Sequence, residues 1–196
     1  MCYKCFLLGA SLRSDCVSLP LMANCDFFKA TNITESLRDL GAEAHLAAVL
    51  QKFEEKGAKF APIKVEGDGH CLVHSISRCI GATEHLYAVL RTALHAELAE
   101  NEEFYKRATG GMYHYDGEAN YSEQVEWAKP TSRGGEYMTP LHIFGLSNVL
   151  KRPIILLDGQ IDPVPGSNGR GLYLPTRFSP EECRTTDGSQ TCPIVI

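Results

Sequence analysis

Apolar positions recur at helical spacing in several stretches of the chain. Leu37 and Leu40, then Leu46, Val49, Leu50 and Phe53, follow one such pattern, interrupted at Gly41. Asn32 with Glu35 three residues on makes a capping box, so the spacing predicts a helix from near Asn32 to a stop at Gly57. "FAPIKVEG" then reads as extended. Leu72, Val73, Ile76, Cys79 and Ile80 lie on one face of a second helix ending at Gly81. Thr83 caps a third, whose stripe of Leu86, Val89, Leu90, Ala93, Leu94 and Leu98 runs on toward Arg107 and the Gly110-Gly111 stop. Residues 110–138 are glycine-rich, polar and aromatic, and read as a long surface loop of the kind that carries binding function.

Thr139-Pro140 opens another helix, with proline at the first position, where its missing N–H costs nothing. Leu141, Phe144, Val149 and Leu150 face inward, Lys151 and Arg152 complement the C-terminal dipole, and Pro153 ends the element. "PIILLD" (153–158) is a continuous apolar run, as in a strand buried on both faces. "GLYLP" (171–175) and "CPIVI" (192–196) are two more strands, and Ser179-Pro180-Glu181-Glu182 caps a helical turn between them. Helices followed by a small sheet give an α+β (α/β) fold with at least one helix–strand crossover. The pattern divides the chain into residues 1–31, irregular and holding half the cysteines, and one domain over residues 32–196.

Composition narrows the function classes. The chain has 196 residues, a net charge of −5 and no run of Lys or Arg, which argues against a nucleic-acid partner. An acidic surface suits a basic protein partner. No stretch approaches the roughly 20 apolar residues of a membrane span. "CFLLGASL" after Lys4 has too thin a basic region for a secretory signal. The eight cysteines are even in number, but a chain of this size needs no disulfide framework, so a reducing, intracellular setting in cytoplasm or nucleus is expected. Cys2 and Cys5 have zinc-ligand spacing, and Cys16 and Cys25 would complete a four-thiolate site. The second pair is not C-x-x-C, so no metal and no other cofactor is expected.

The richest chemistry lies in "VEGDGHCLVHSISRC" (65–79). Cys71 falls where a glycine turn becomes a helix, so unpaired N–H groups and the helix dipole favour a thiolate there. Gly67 and Gly69 allow close approach and unusual dihedrals. Amides in the turn around Asp68, His70 and Cys71 can converge on one oxyanion. Asp68 is a poor proton acceptor for Cys71, because a nearby carboxylate disfavours the thiolate; its expected role is to brace the turn. The plain alternative makes Asp68 a helix cap and Cys71 a small buried apolar residue.

"VEGDGHCLVHSISRC" resembles the catalytic cysteine motif of the ovarian tumour (OTU) deubiquitinases. "LHIFGLSNVLKRPIILLD", "GLYLPTRFSPEEC" and "CPIVI" resemble later segments of one branch of that family. The resemblance covers about residues 60–105 and 139–196. It implies a papain-like α/β cysteine-protease fold and hydrolysis of the isopeptide bond at the C-terminal glycine of ubiquitin. Cys71 would be the nucleophile, Asp68 part of the catalytic motif, and no metal would be needed. Ubiquitin or polyubiquitin would be the partner and, through that branch, a valosin-containing AAA ATPase complex.

The same resemblance places a general-base histidine in an H-(Tyr/Phe)-x-Pro-Leu pattern, on the strand after the one matching "CPIVI". The chain as given stops at Ile196, so a C-terminally incomplete domain with weak or no turnover is expected. Of the seven histidines, His74 is the only local stand-in, and it reads rather as a partly exposed helix residue. His142 reads as structural, His114 lies in the 110–138 loop, and Asp26 and Asp39 are the candidates for orienting a base. Two other functions compete: a non-catalytic ubiquitin-binding module on the same fold, and a zinc adaptor built on the N-terminal cysteines.

Overall fold

The structure, a computed structural model, describes residues 7–8, 35–57, 60–81, 83–109, 120–130, 138–157 and 171–196, excepting 187, 189 and 192. Among these residues lie six α-helices and five short strands, an α+β arrangement. None of the helices is long and apolar enough to cross a membrane. Strand β1 (Leu7–Leu8) pairs antiparallel with β2 (Pro62–Ile63), so the N-terminal stretch is not wholly irregular.

Helix α1 (Leu40–Glu55) begins eight residues later than expected. Its cap is Asp39, whose carboxylate accepts the Ala42 N–H at 3.0 Å. Residues 35–37 form a single 3-10 turn instead, and Asn32 lies outside the described residues. The late start has a tertiary cause. Asp39 N–H donates to the Pro62 carbonyl at 2.9 Å, and Lys64 N–H to the Leu37 carbonyl at 2.8 Å. Residues 38–39 are thus held extended along β2 and cannot coil. Gly57, at φ +80°, ends the helix as its sequence position indicated.

Helix α2 (Cys71–Gly81) and α3 (Tyr87–Glu100) form the centre. Thr83 does not cap α3. The Ser77 hydroxyl of α2 reaches across and accepts the Leu86 N–H at 3.1 Å, which fixes the α2–α3 angle. Leu90, Leu94 and Leu98 are buried as the stripe requires, but Val89 is exposed. The helix also stops earlier than its pattern. Asn101, a poor helix former, donates its side-chain amide to the Glu97 carbonyl, and α4 (Glu102–Ala108) continues separately.

The stretch read as one long loop holds a helix, α5 (Tyr121–Trp127), with a complete Asn120/Glu123 capping box. Helix α6 (Pro140–Leu150) starts at Thr139-Pro140 as expected. It is buried around most of its circumference, with Ile143 and Leu146 in the core alongside Leu141. Its Gly145 sits against α3, where an added Cβ would come within 2.5 Å of Leu94 Cδ1.

Strand β3 (Ile154–Leu156) is central, with β4 (Gly171–Tyr173) antiparallel on one side and β5 (Ile194–Val195) parallel on the other. Ile154 is fully buried, whereas Ile155 and Leu156 are half-buried, so β3 is not sealed on both faces. One core joins the sheet to the helices through Val73, Ile76, Leu94, Leu146, Ile154 and Ile194. A polar network crosses its edge. Glu97 takes the Arg177 guanidinium on both oxygens, at 2.6 and 2.8 Å, and the Tyr105 hydroxyl at 2.7 Å. Asn148 donates to that hydroxyl and accepts the Arg177 N–H. Every partner is satisfied, which lets charge lie at the core boundary without an orphaned group.

Candidate active site

Cys71 is the first residue of α2 and is buried, with 8% of its surface exposed. His70 precedes it as the cap, its carbonyl accepting the His74 N–H at 3.0 Å. The turn before it is built by Asp68. One carboxylate oxygen accepts the His70 N–H at 2.9 Å; the other lies 3.1 Å from His74 Nε2. Asp68 therefore braces the turn and does not itself cap the helix. Burial works to raise its pKa, but the bonds from His70 N–H and His74 outweigh that and hold the carboxyl below its ordinary value.

The two glycines differ. Gly69 has φ +90°, a conformation closed to other residues at low cost. Gly67 has no such need, and a Cβ on it would meet open space. The turn thus requires one glycine for its backbone and leaves room above the other.

The histidines separate clearly. His74 is buried, not partly exposed. Its Nε2 faces Asp68, and its Nδ1 lies 3.3 Å from Glu84 Oε2. Nε2 is hydrogen-bonded to Asp68, whereas Nδ1 is buried beside Glu84 without a hydrogen bond. His70 stacks on Tyr87 with ring centroids 5.5 Å apart, and His74 packs on the same ring at 4.9 Å. Burial, and then the Arg91 charge, push the His70 pKa down. His142 is fully buried: Nδ1 accepts the Thr139 N–H at 2.8 Å, and Nε2 donates to the Gln124 carbonyl at 2.8 Å. Those partners fix it as neutral imidazole, and burial lowers its pKa to about 4. His142 is structural, as its sequence context indicated.

Glu84 was missed in the sequence. It lies in the link between α2 and α3 and reaches back to the motif. Arg78 Nε donates to its Oε1 at 2.7 Å, and Glu66 N–H to its Oε2 at 3.0 Å. Nothing in the spacing marks it, because its partners are six, ten and eighteen residues away. Asp39 is occupied as the α1 cap, and Asp26 and His114 lie outside the described residues. Cys2, Cys5, Cys16 and Cys25 lie outside them too. Among the described residues, no three His, Cys, Asp or Glu side chains gather as a metal ion would need.

Cys71 thus sits buried at a helix N-terminus, entered through a Gly-Asp-Gly turn that its own aspartate braces. The pattern of the vertnin OTU domain matches residues 62–133. The chain carries an OTU-like domain. This match runs through the 110–133 stretch, where the sequence alone offered no resemblance. The mouse and human proteins named deubiquitinating protein VCPIP1 are 31% identical to the chain over 145 residues, covering 69% of it. Human tumor necrosis factor alpha-induced protein 3 is 30% identical over 155 residues, covering 64% of it. The chain spans only 11% of the length of VCPIP1 and 19% of the latter protein.

Proposed function

We propose that this OTU-like domain is a thiol-dependent deubiquitinase with Cys71 as nucleophile. Cys71 Sγ attacks the carbonyl of the isopeptide bond at the ubiquitin C-terminal glycine. The tetrahedral oxyanion is met by amides of the turn other than that of His70, which Asp68 already takes. Collapse releases the lysine amine, which carries off the thiol proton, and leaves a thioester, which water then hydrolyses to the ubiquitin carboxylate. Asp68 holds the turn in shape. The observation that carries this reading is the joint placement of Cys71 at the start of α2 and of the Asp68 carboxylate on His70 N–H and His74. Ubiquitin or polyubiquitin is the partner this reading requires. A valosin-containing AAA ATPase complex is a second partner to test, on the family resemblance.

One observation favours a second reading, a catalytically impaired ubiquitin-binding module lacking the general-base histidine. His74, the local stand-in, is buried, with Nε2 taken by Asp68 and Nδ1 enclosed beside Glu84, and His142 spends both of its own nitrogens on Thr139 and Gln124. General-base assistance supplies roughly 10²–10⁴-fold.

Cleavage of linked di-ubiquitins by wild type and Cys71→Ala separates the readings. Cleavage that disappears in Cys71→Ala supports the hydrolase. Saturable ubiquitin binding with no cleavage supports the module. Neither binding nor cleavage by folded protein contradicts both.

A further inference from the structure

Glu84 gathers three contacts that converge on the turn before Cys71. Its Oε1 is anchored by Arg78, and its Oε2 accepts the Glu66 N–H at 3.0 Å and lies 3.3 Å from His74 Nδ1. His74 in turn meets Asp68, whose other oxygen accepts the His70 N–H. Two carboxylates thereby hold the backbone at Glu66 and at His70, on either side of Gly67-Asp68-Gly69. A turn with two glycines has the most backbone freedom to lose and few side chains to restrain it. Asp68 braces it from within, and the rest of its restraint comes from outside. The outside frame is one short segment, since Tyr87, three residues after Glu84, also covers both His70 and His74.

We propose that Glu84, with Arg78 as its anchor, is a positioning residue that clamps the 66–70 turn and so sets the presentation of the Cys71 thiol. Glu84 does not touch substrate. It acts through Glu66 N–H and through the His74–Asp68 pair. The proposal rests on the reading of Cys71 as the reactive thiol, and it deepens that reading by naming what holds the site. A misplacement of about 1 Å in such a turn is enough to cost up to about 10²-fold in rate.

The test compares wild type, Glu84→Ala and Glu84→Gln by three measurements. These are amide exchange across residues 65–70, alkylation of Cys71 by iodoacetamide, and inactivation by a ubiquitin C-terminal electrophile resolved into its saturating rate and half-saturating concentration. In Glu84→Ala, exchange at 65–70 rises about 10-fold or more while α6 stays protected. The saturating rate falls about 10-fold or more, with the half-saturating concentration little changed. Glu84→Gln, which keeps a carbonyl acceptor for Glu66 N–H but presents an amide NH2 to Arg78, recovers part of that rate. Unchanged exchange at 65–70, or an unchanged saturating rate, overturns the proposal. If wild type forms no ubiquitin adduct, the deubiquitinase reading fails separately. Exchange and iodoacetamide alkylation then decide the clamp, upheld if both change in Glu84→Ala and overturned if either does not. Should Glu84→Ala not fold, Arg78→Met probes the same clamp from its anchor, with the same expected direction and the same overturning result.

Discussion

His74 Nε2 lies 3.1 Å from Asp68 Oδ2, so the motif's acidic residue and the histidine one turn beyond Cys71 are bound to each other. Asp68→Ala removes this contact and the acceptor for His70 N–H. It is expected to cost about 1 kcal/mol of stability, since the carboxylate is partly solvated, and to slow Cys71 far more than it destabilises the fold. Asp68→Asn keeps an acceptor for His70 N–H and is expected to fall between. Because the folded-state pKa of Asp68 lies below its ordinary 3.8, its contribution is complete above that value and fades as pH falls beneath it. Urea midpoints of wild type and Asp68→Asn should therefore converge below pH 3.8.

His142 predicts a pH dependence of its own. Its pKa is about 4 in the folded protein against an ordinary 6.5, so the unfolded chain takes up the proton first. Stability is therefore full above pH 6.5, declines as pH falls toward about 4, and loses roughly 3 kcal/mol from this group across that window. Urea unfolding at a series of pH values should show a slope near one proton there. His142→Gln should take about one proton out of that slope and leave the share of His70, whose pKa is also held down.

Gly145 marks the closest approach of α6 to α3. Leu94, whose Cδ1 would meet a new Cβ, is itself fully buried and has little room to turn away. Gly145→Ala is expected to destabilise by about 1–3 kcal/mol despite its better helix propensity. Thermal unfolding of the variant checks this, and a gain in stability would contradict the packing described.

The Glu97–Arg177 pair ties α3 to the segment after β4. Glu97→Ala strands both the guanidinium and the Tyr105 hydroxyl, and should cost about 3 kcal/mol. A double-mutant cycle with Arg177→Met is expected to return a coupling of about 1–3 kcal/mol. A coupling near zero would mean that solvent replaces the pair without cost.

How much of this was legible in the sequence depended on the range of the forces involved. Helix α2, the Thr139-Pro140 start of α6 and the three strands of the sheet follow from periodicity and local stop signals, and all were readable. The start of α1 was not, because Asp39 becomes its cap only once residues 38–39 lie along β2. Helix α5 was missed although Asn120 and Glu123 spell its capping box; the glycines and aromatics around it hid the signal. At the site, Cys71, Asp68 and Gly69 were visible because the motif is contiguous. The burial of His74 was not, because the carboxylates beside it, Asp68 and Glu84, lie six residues before it and ten after. Glu97, Tyr105, Asn148 and Arg177 show no pattern in sequence, since their meeting is a product of the folded core.

The most direct test of the central claim is intact-mass analysis after incubation with a ubiquitin C-terminal electrophile, for wild type and Cys71→Ala. The account predicts one adduct per chain on wild type and none on Cys71→Ala. An adduct that persists in Cys71→Ala, or no adduct on folded wild type, would contradict Cys71 as the reactive thiol of a ubiquitin site.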